Sequence, residues 1–310
     1  MSESLPPELE AGPIRRRCLV ILSEKSSGSS ALQDFLTSFA GVNHVDFTRH
    51  AERETLYWVK AASILGLPQL DMVDSEVPIP ADVARRDLKE FLGRNIAGYR
   101  SSDDDLELVF EGWYGLCREF GPVFVEKSPH HLCQESALRL LRRAMEGDPA
   151  TEYLLVGLVR NPLDTLYSQY RRWRSRPEDV EKQWVAAYRN LERLQVELGD
   201  QVVVVRYEDL PTLDGMGPVL DFCGIEPGIA VPFHDSSHSR WQSDDSFGFV
   251  LGPEASALAA RFHYPAEGLA GQRRRWWPVR RELARAAYRS RVAAGGLLRR
   301  FAVPGDRPGG

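Results

Sequence analysis

Lys25-Ser26-Ser27-Gly28-Ser29-Ser30 is the stretch of this chain whose residue types and spacing come nearest to chemistry. Small residues around a glycine expose backbone N–H groups, and a lysine with several hydroxyls adds charge and donors, so the loop suits a phosphate-like anion. Gly28 lets such a group approach the backbone closely. Two further cations stand where apolar runs end. Lys127 follows Val123-Phe124-Val125-Glu126 and precedes Ser128-Pro129-His130-His131; Arg160 follows the run from Tyr153 to Val159, with Ser168 eight residues later. His50, Glu52 and Glu54 are candidate proton acceptors. Taken singly, a serine-rich turn, a surface lysine and a salt-bridged glutamate are the commoner explanations.

These groups need elements to hold them. Cys18-Leu19-Val20-Ile21-Leu22 reads as a buried strand, and Leu32, Phe35, Leu36 and Phe39 recur at helical spacing, so the serine-rich loop wraps a helix N-terminus. That helix is expected to end near Ala40-Gly41. Trp58, Ala61, Ala62 and Leu65 share one face of a second helix. Continuing its phase backward puts Glu54 on the inward face and Glu52 about 200° away from it. His50 shares that face if the helix reaches so far, and His44 lies in the turn before it. An inward carboxylate pairs with a cation or lines a cleft.

Pro68 to Pro80 reads as an irregular acidic loop followed by two amphipathic helices, Asp82 to Ala97 and Asp104 to Phe120, so that about 66–120 forms a helical insertion over a binding pocket. Pro129 suits the first turn of the next helix. Pro162 suits a first helical position, with Asp164 in the first turn. A long helix from Pro177 to Leu198 leads to a fourth strand, Val202 to Arg206, which ends in Tyr207-Glu208-Asp209-Leu210. Strands alternating with helices predict an α/β fold, a P-loop-like parallel sheet with helices on both faces. Open sheets of this kind bind ligands at the strand C-termini, where Lys127 and Arg160 stand.

With 310 residues, 43% of them apolar, the chain is long enough for one main domain at 15–270, after a disordered head at 1–14 and before a basic tail at 271–310. A net charge of −5 gives no general attraction to nucleic acid. The four cysteines form no CxxC pair and lie at no zinc spacing, so neither a metal site nor a disulfide framework is expected, and a reducing cytoplasm is the default. No apolar run approaches the roughly 18 residues of a membrane span, and no signal peptide is visible. Ser236 to Phe249, rich in Ser, His and Asp around Trp241, suits a loop that orders over a ligand. From Arg273 to Arg300 ten arginines face one acid, Glu282, with Trp276, Trp277 and Tyr288 among them. Peripheral contact with an acidic membrane and a solvated helix are both consistent with that composition.

Together these motifs resemble the sulfotransferases that use 3′-phosphoadenosine-5′-phosphosulfate (PAPS). Ser27-Gly28-Ser29-Ser30 resembles the family's 5′-phosphosulfate loop, although Lys25 lies one position further from the glycine than the usual basic residue and Ser26 takes its place. Arg160-Asn161-Pro162 with Ser168 is similar to the 3′-phosphate motif. Lys127-Ser128-Pro129, Glu54-Thr55 and Arg206-Tyr207-Glu208-Asp209-Leu210 resemble elements of the bacterial and tyrosylprotein branches. The resemblance covers about residues 17 to 224 as islands. It implies PAPS held by Lys25, Ser26, Ser27, Gly28, Ser29, Ser30, Arg160, Ser168 and Tyr207. It also implies Lys127 on the transferring group, Glu54 or His50 as base, no metal, and a small-molecule, glycan or peptide acceptor. The oligomeric state stays open. A nucleotide kinase or other P-loop NTPase shares the strand–loop–helix start, but its GxxxxGK[ST] loop carries lysine after the last glycine, whereas Lys25 precedes the only glycine here. A catalytically inactive nucleotide-binding protein is the other alternative.

Overall fold

The structure, a computed structural model, describes residues 16–226, 232–233 and 238–301. The head at 1–14 and part of the Ser236 to Phe249 loop lie outside the described residues. In chain order the elements are β1 (Arg16–Ser23), α1 (Ser29–Leu36), β2 (Val42–Asn43), α2 (Tyr57–Ile64), α3 (Ala81–Asn95), α4 (Asp105–Glu119), β3 (Val123–Lys127) and α5 (Glu135–Gly147). There follow β4 (Thr151–Val159), α6 (Pro162–Trp173), α7 (Pro177–Leu198), β5 (Val202–Arg206), α8 (Gly217–Cys223), α9 (Arg240–Ser243), α10 (Pro253–Arg261) and α11 (Trp277–Phe301).

Among the described residues, five strands form one parallel sheet in the order β2-β3-β1-β4-β5. β1 shows why its sequence is apolar without alternation. Cys18, Val20 and Leu22 point into one core layer and Leu19 and Ile21 into the other, so both faces of the strand are covered. The thinner layer is built by α1 and α8, through Leu32 and Val219 among others. The thicker one takes Trp58 of α2, Leu88 of α3, Trp113 of α4, Leu141 of α5, Leu166 of α6 and Trp184 of α7. Its centre is aromatic: the Trp113 ring lies 4.7 Å from Trp58 and 5.8 Å from Phe124 of β3.

Several expectations are corrected. The sheet has a fifth strand, β2, whose two residues are too short to show a periodicity. α1 stops at Leu36, because turns begin at Thr37 and Phe39 packs edge-on against Phe35 without extending the helix. α5 begins at Glu135 rather than beside Pro129, which lies in a turn. α2 begins only at Tyr57, so neither His50 nor Glu54 is helical on its phase. Within residues 66–120, α3 and α4 pack into the thicker core layer.

Candidate active site

β1 lies between β3 and β4, so Lys127 at the end of β3 and Arg160 just beyond β4 flank the loop that leaves β1. A cleft of about 870 Å³ opens there, lined by Lys25, Ser26, Gly28, Ser29, Ser30, Glu52, Glu54, His130, Arg160 and Ser168, with Asp74–Glu76, Arg172 and Trp173 on its walls. Of residues 66–120, only 74–76 reach this lining.

The loop is shaped by its own neighbours. Ser26 has φ 63° and Gly28 φ 90°, the left-handed region that glycine adopts without strain. Gly28 is required for a second reason. A Cβ there would stand 2.2 Å from the Tyr207 ring, so the glycine admits that ring while its backbone lines the cleft. Arg160 lies over the same ring, 4.5 Å from its centroid, and donates from Nη1 to the Ser26 carbonyl at 2.8 Å. Ser27 Oγ lies 3.2 Å from the buried Tyr188 hydroxyl, so its side chain serves the core. Lys25 Nζ donates to the carbonyls of Val73 and, at 3.2 Å, Asp74, beneath the Trp173 ring. Lys25 thus lines the cleft while tying the loop to residues 73–74. Glu24 is wholly buried and accepts from Gln169 at 3.1 Å and Gln183 at 2.5 Å.

At the floor, Lys127 Nζ donates to Ser30 Oγ at 3.0 Å and to the Glu52 carbonyl at 2.6 Å, and lies 3.8 Å from Glu54 Oε1. Ser30 donates to Glu52, which also receives Arg172. Glu52 therefore faces the cleft, contrary to the helical phase, because 51–56 does not continue α2: Ala51–Arg53 is a short 3-10 turn with left-handed residues in it. Glu52, Arg53 and Leu56 all have positive φ, at 56°, 56° and 51°. Such strain persists only where surroundings fix the chain. Besides Lys127 and Ser30 on Glu52, Glu126 holds this segment from the opposite side of β3: it accepts from Thr55 Oγ1 at 2.5 Å and lies 3.6 Å from His131 Nδ1, while His131 Nε2 accepts from the Trp58 N–H at 3.1 Å. The tautomer of His131 is thereby set, with its proton on Nδ1.

Burial raises the pKa of Glu54 from its ordinary value, and the charge of Lys127 draws it partly back. His130 Nδ1 lies 3.6 Å from Glu54 Oε2. Burial first, and then the charge of Lys25, push that imidazole down to about 3. His50 stands outside the cleft lining with Nδ1 2.9 Å from Glu76, and burial holds it at about 4. Both imidazoles are weak proton acceptors, which leaves Glu54 as the strongest base beside Lys127.

The cleft thus gathers Lys25, Ser26, Gly28, Ser29, Ser30, Glu54, Arg160 and Ser168, with Lys127 beneath; Ser27 and Tyr207 support it from behind, and His50 is apart. Sequence reasoning missed His130, Arg172, Trp173 and Glu126. Signals existed for two of them: His130 lies three residues past Lys127, and Arg172 lies one helical turn past Ser168 on the same face. No protein-family model matches the chain, and no curated protein matches it. A crystal structure of a sulfotransferase from Alicyclobacillus acidocaldarius is similar to it at 15% sequence identity and a TM-score of 0.43, covering 88% of this chain and 99% of that one. A likeness at that level carries no weight for the activity.

Proposed function

We propose that this protein is a PAPS-dependent sulfotransferase, moving a sulfuryl group to a hydroxyl or amine of a small-molecule, glycan or peptide acceptor. The observation that carries the reading is the position of Glu54, a base with raised pKa, 3.8 Å from Lys127 in the same cleft as the Ser26–Ser30 loop, Arg160 and Ser168. A sulfuryl donor is polyanionic, and the cleft meets it with Lys25, Arg160, Arg172 and the N-terminus of α1.

In the reaction the acceptor oxygen or nitrogen bonds to sulfur as the bond from sulfur to the phosphate oxygen breaks, and the phosphate leaves with the electron pair. Glu54 takes the acceptor proton, a contribution of about 10²–10⁴ in rate. Lys127 neutralises charge gathering on the leaving oxygen, where loss of one donor costs about 10²–10³. Arg160 and Ser168 hold the 3′-phosphate, so that the donor lies in register with Glu54.

Radiolabelled PAPS incubated with acceptor extracts tests this, with mass spectrometry identifying the product that gains one sulfuryl group. Label transfer that is lost with Lys127→Ala supports the assignment. Transfer of phosphate from labelled ATP instead assigns a kinase, and stabilisation by 3′-phosphoadenosine-5′-phosphate (PAP) without turnover assigns a nucleotide-binding protein.

A further inference from the structure

α11 carries a face that the sulfotransferase reading does not use. Trp277, at its start, is buried against Tyr170 and Phe247, with ring centroids 4.8 and 5.1 Å away. Arg281, one turn on, donates to Glu178 of α7, and Ala284 and Tyr288 are half-buried on the same side. Trp276, whose carbonyl accepts from Arg280 N–H and so shares the helical phase, is 61% exposed; Val279 is 54% and Leu283 66% exposed. These three, with the exposed Ala286, Ala287, Ser290 and Ala294, make one stripe roughly 200° around the helix from Arg281. The stripe faces directly away from the body. Exposed Arg280 and Arg291 border it on one side; on the other stand Glu282, whose charge is paired with Arg176 at 3.1 Å, and exposed Arg289. Val292 is also exposed, at 56%, but lies off the stripe.

We propose that α11 lays this arginine-bordered apolar stripe into the surface of an anionic lipid membrane. A helix of low overall hydrophobicity, with tryptophan and leucine on one face and arginines beside them, lies in the plane of the interface with its apolar side among the acyl chains. The arginines then sit level with lipid phosphates and gain from a negative surface. Charge complementarity selects this occupant over two others. Nucleic acid answers to arginines alone and leaves the apolar stripe in water. A second copy paired through a two-fold axis sets the like-charged borders of the two helices against each other. Docking also fixes the orientation of the cleft, because Trp277 packs on α6, the helix that carries Ser168 and Arg172.

The test is sedimentation of the full-length chain with vesicles of phosphatidylcholine alone and of phosphatidylcholine mixed with phosphatidylglycerol. The expected result is binding to the mixed vesicles only, weakened by salt. The triple variant Arg280→Glu, Arg289→Glu, Arg291→Glu is expected to bind at least about 100-fold more weakly. Leu283→Asp is expected to weaken binding about tenfold or more at unchanged net arginine content. Since all four residues are exposed, the melting temperature serves as the folding control and stays at the wild-type value. Three results overturn the proposal: no preference for the mixed vesicles, unchanged binding in Leu283→Asp, or a dimer in solution that Leu283→Asp converts to monomer. DNA retention equal in wild type and Leu283→Asp, without vesicle binding, assigns the surface to nucleic acid instead.

Discussion

In the proposed reaction Glu54 would take its role from two neighbours, the cation of Lys127 and the poor basicity of His130. Replacing Glu54 by glutamine keeps the shape and removes the proton-accepting charge. Turnover should fall about 10²-fold or more, while calorimetric affinity for PAP stays near wild type. The wild-type rate should also decline on acidification at a pH above the ordinary glutamate range, because burial raises the Glu54 pKa and only the ionised form accepts a proton. Loss of that decline in Glu54→Gln identifies the group; an unchanged profile reassigns the base. Arg160→Ala should weaken PAP binding about 10-fold or more, since it removes both a charge-assisted contact and the bond that holds the Ser26 carbonyl. At this scale the sequence was legible in residue type but not always in cause. Glu54 was singled out by helical phase, yet it reaches the cleft through an irregular segment held by Glu126 and Thr55. Glu52 was placed facing away by the same phase and lies beside it. A run of left-handed residues at 52, 53 and 56 leaves no signature in a sequence without glycine there.

The unit from β1 through the serine-rich loop to α1 was legible because a continuous apolar run, a glycine and a helical repeat each have a single physical meaning. What was not legible is who fills the space over Gly28. Tyr207 comes from the far end of the sheet, and no spacing connects the two. Gly28→Ala should therefore destabilise the fold by about 1–3 kcal/mol, from left-handed backbone strain and from displacement of the ring. In a double-mutant cycle with Tyr207→Ala, part of that cost should disappear, leaving the strain alone; strict additivity of the two changes in urea denaturation removes the ring from the explanation. Glu24 gives a second test of the same loop. Burial raises its pKa in the folded chain, so the ionised carboxylate opposes folding, and that penalty grows as pH rises through the raised value. Glu24→Gln should melt at a higher temperature than wild type at pH 8, with the gap closing under acid conditions where the wild-type carboxyl is neutral.

Across the whole molecule the doubly covered parallel sheet followed from the alternation of strands and helices, while the extent of the domain did not. Amphipathic helices read alike whether they cap a pocket or build the main core, and α3 and α4 build the core. Deleting 66–120 should consequently abolish cooperative thermal unfolding rather than leave a trimmed, folded protein; a sharp calorimetric transition in the deleted chain contradicts that. Lys25 has an effect on this scale as well. Its amine fastens the loop of β1 to the carbonyls of Val73 and Asp74, and residues 74–76 form part of the cleft wall. The two sides of the cleft therefore share this fastening, beside the bonds of Val73 to Gln183 and of Asp74 to Ser175, and a ligand that shifts either side works against it. Reciprocity then binds the two ligands thermodynamically: the factor by which an acceptor changes the affinity for PAP must equal the factor by which PAP changes the affinity for that acceptor. Cutting the fastening with Lys25→Met should bring both factors toward one, turning an interdependent pair of binding events into two that ignore each other.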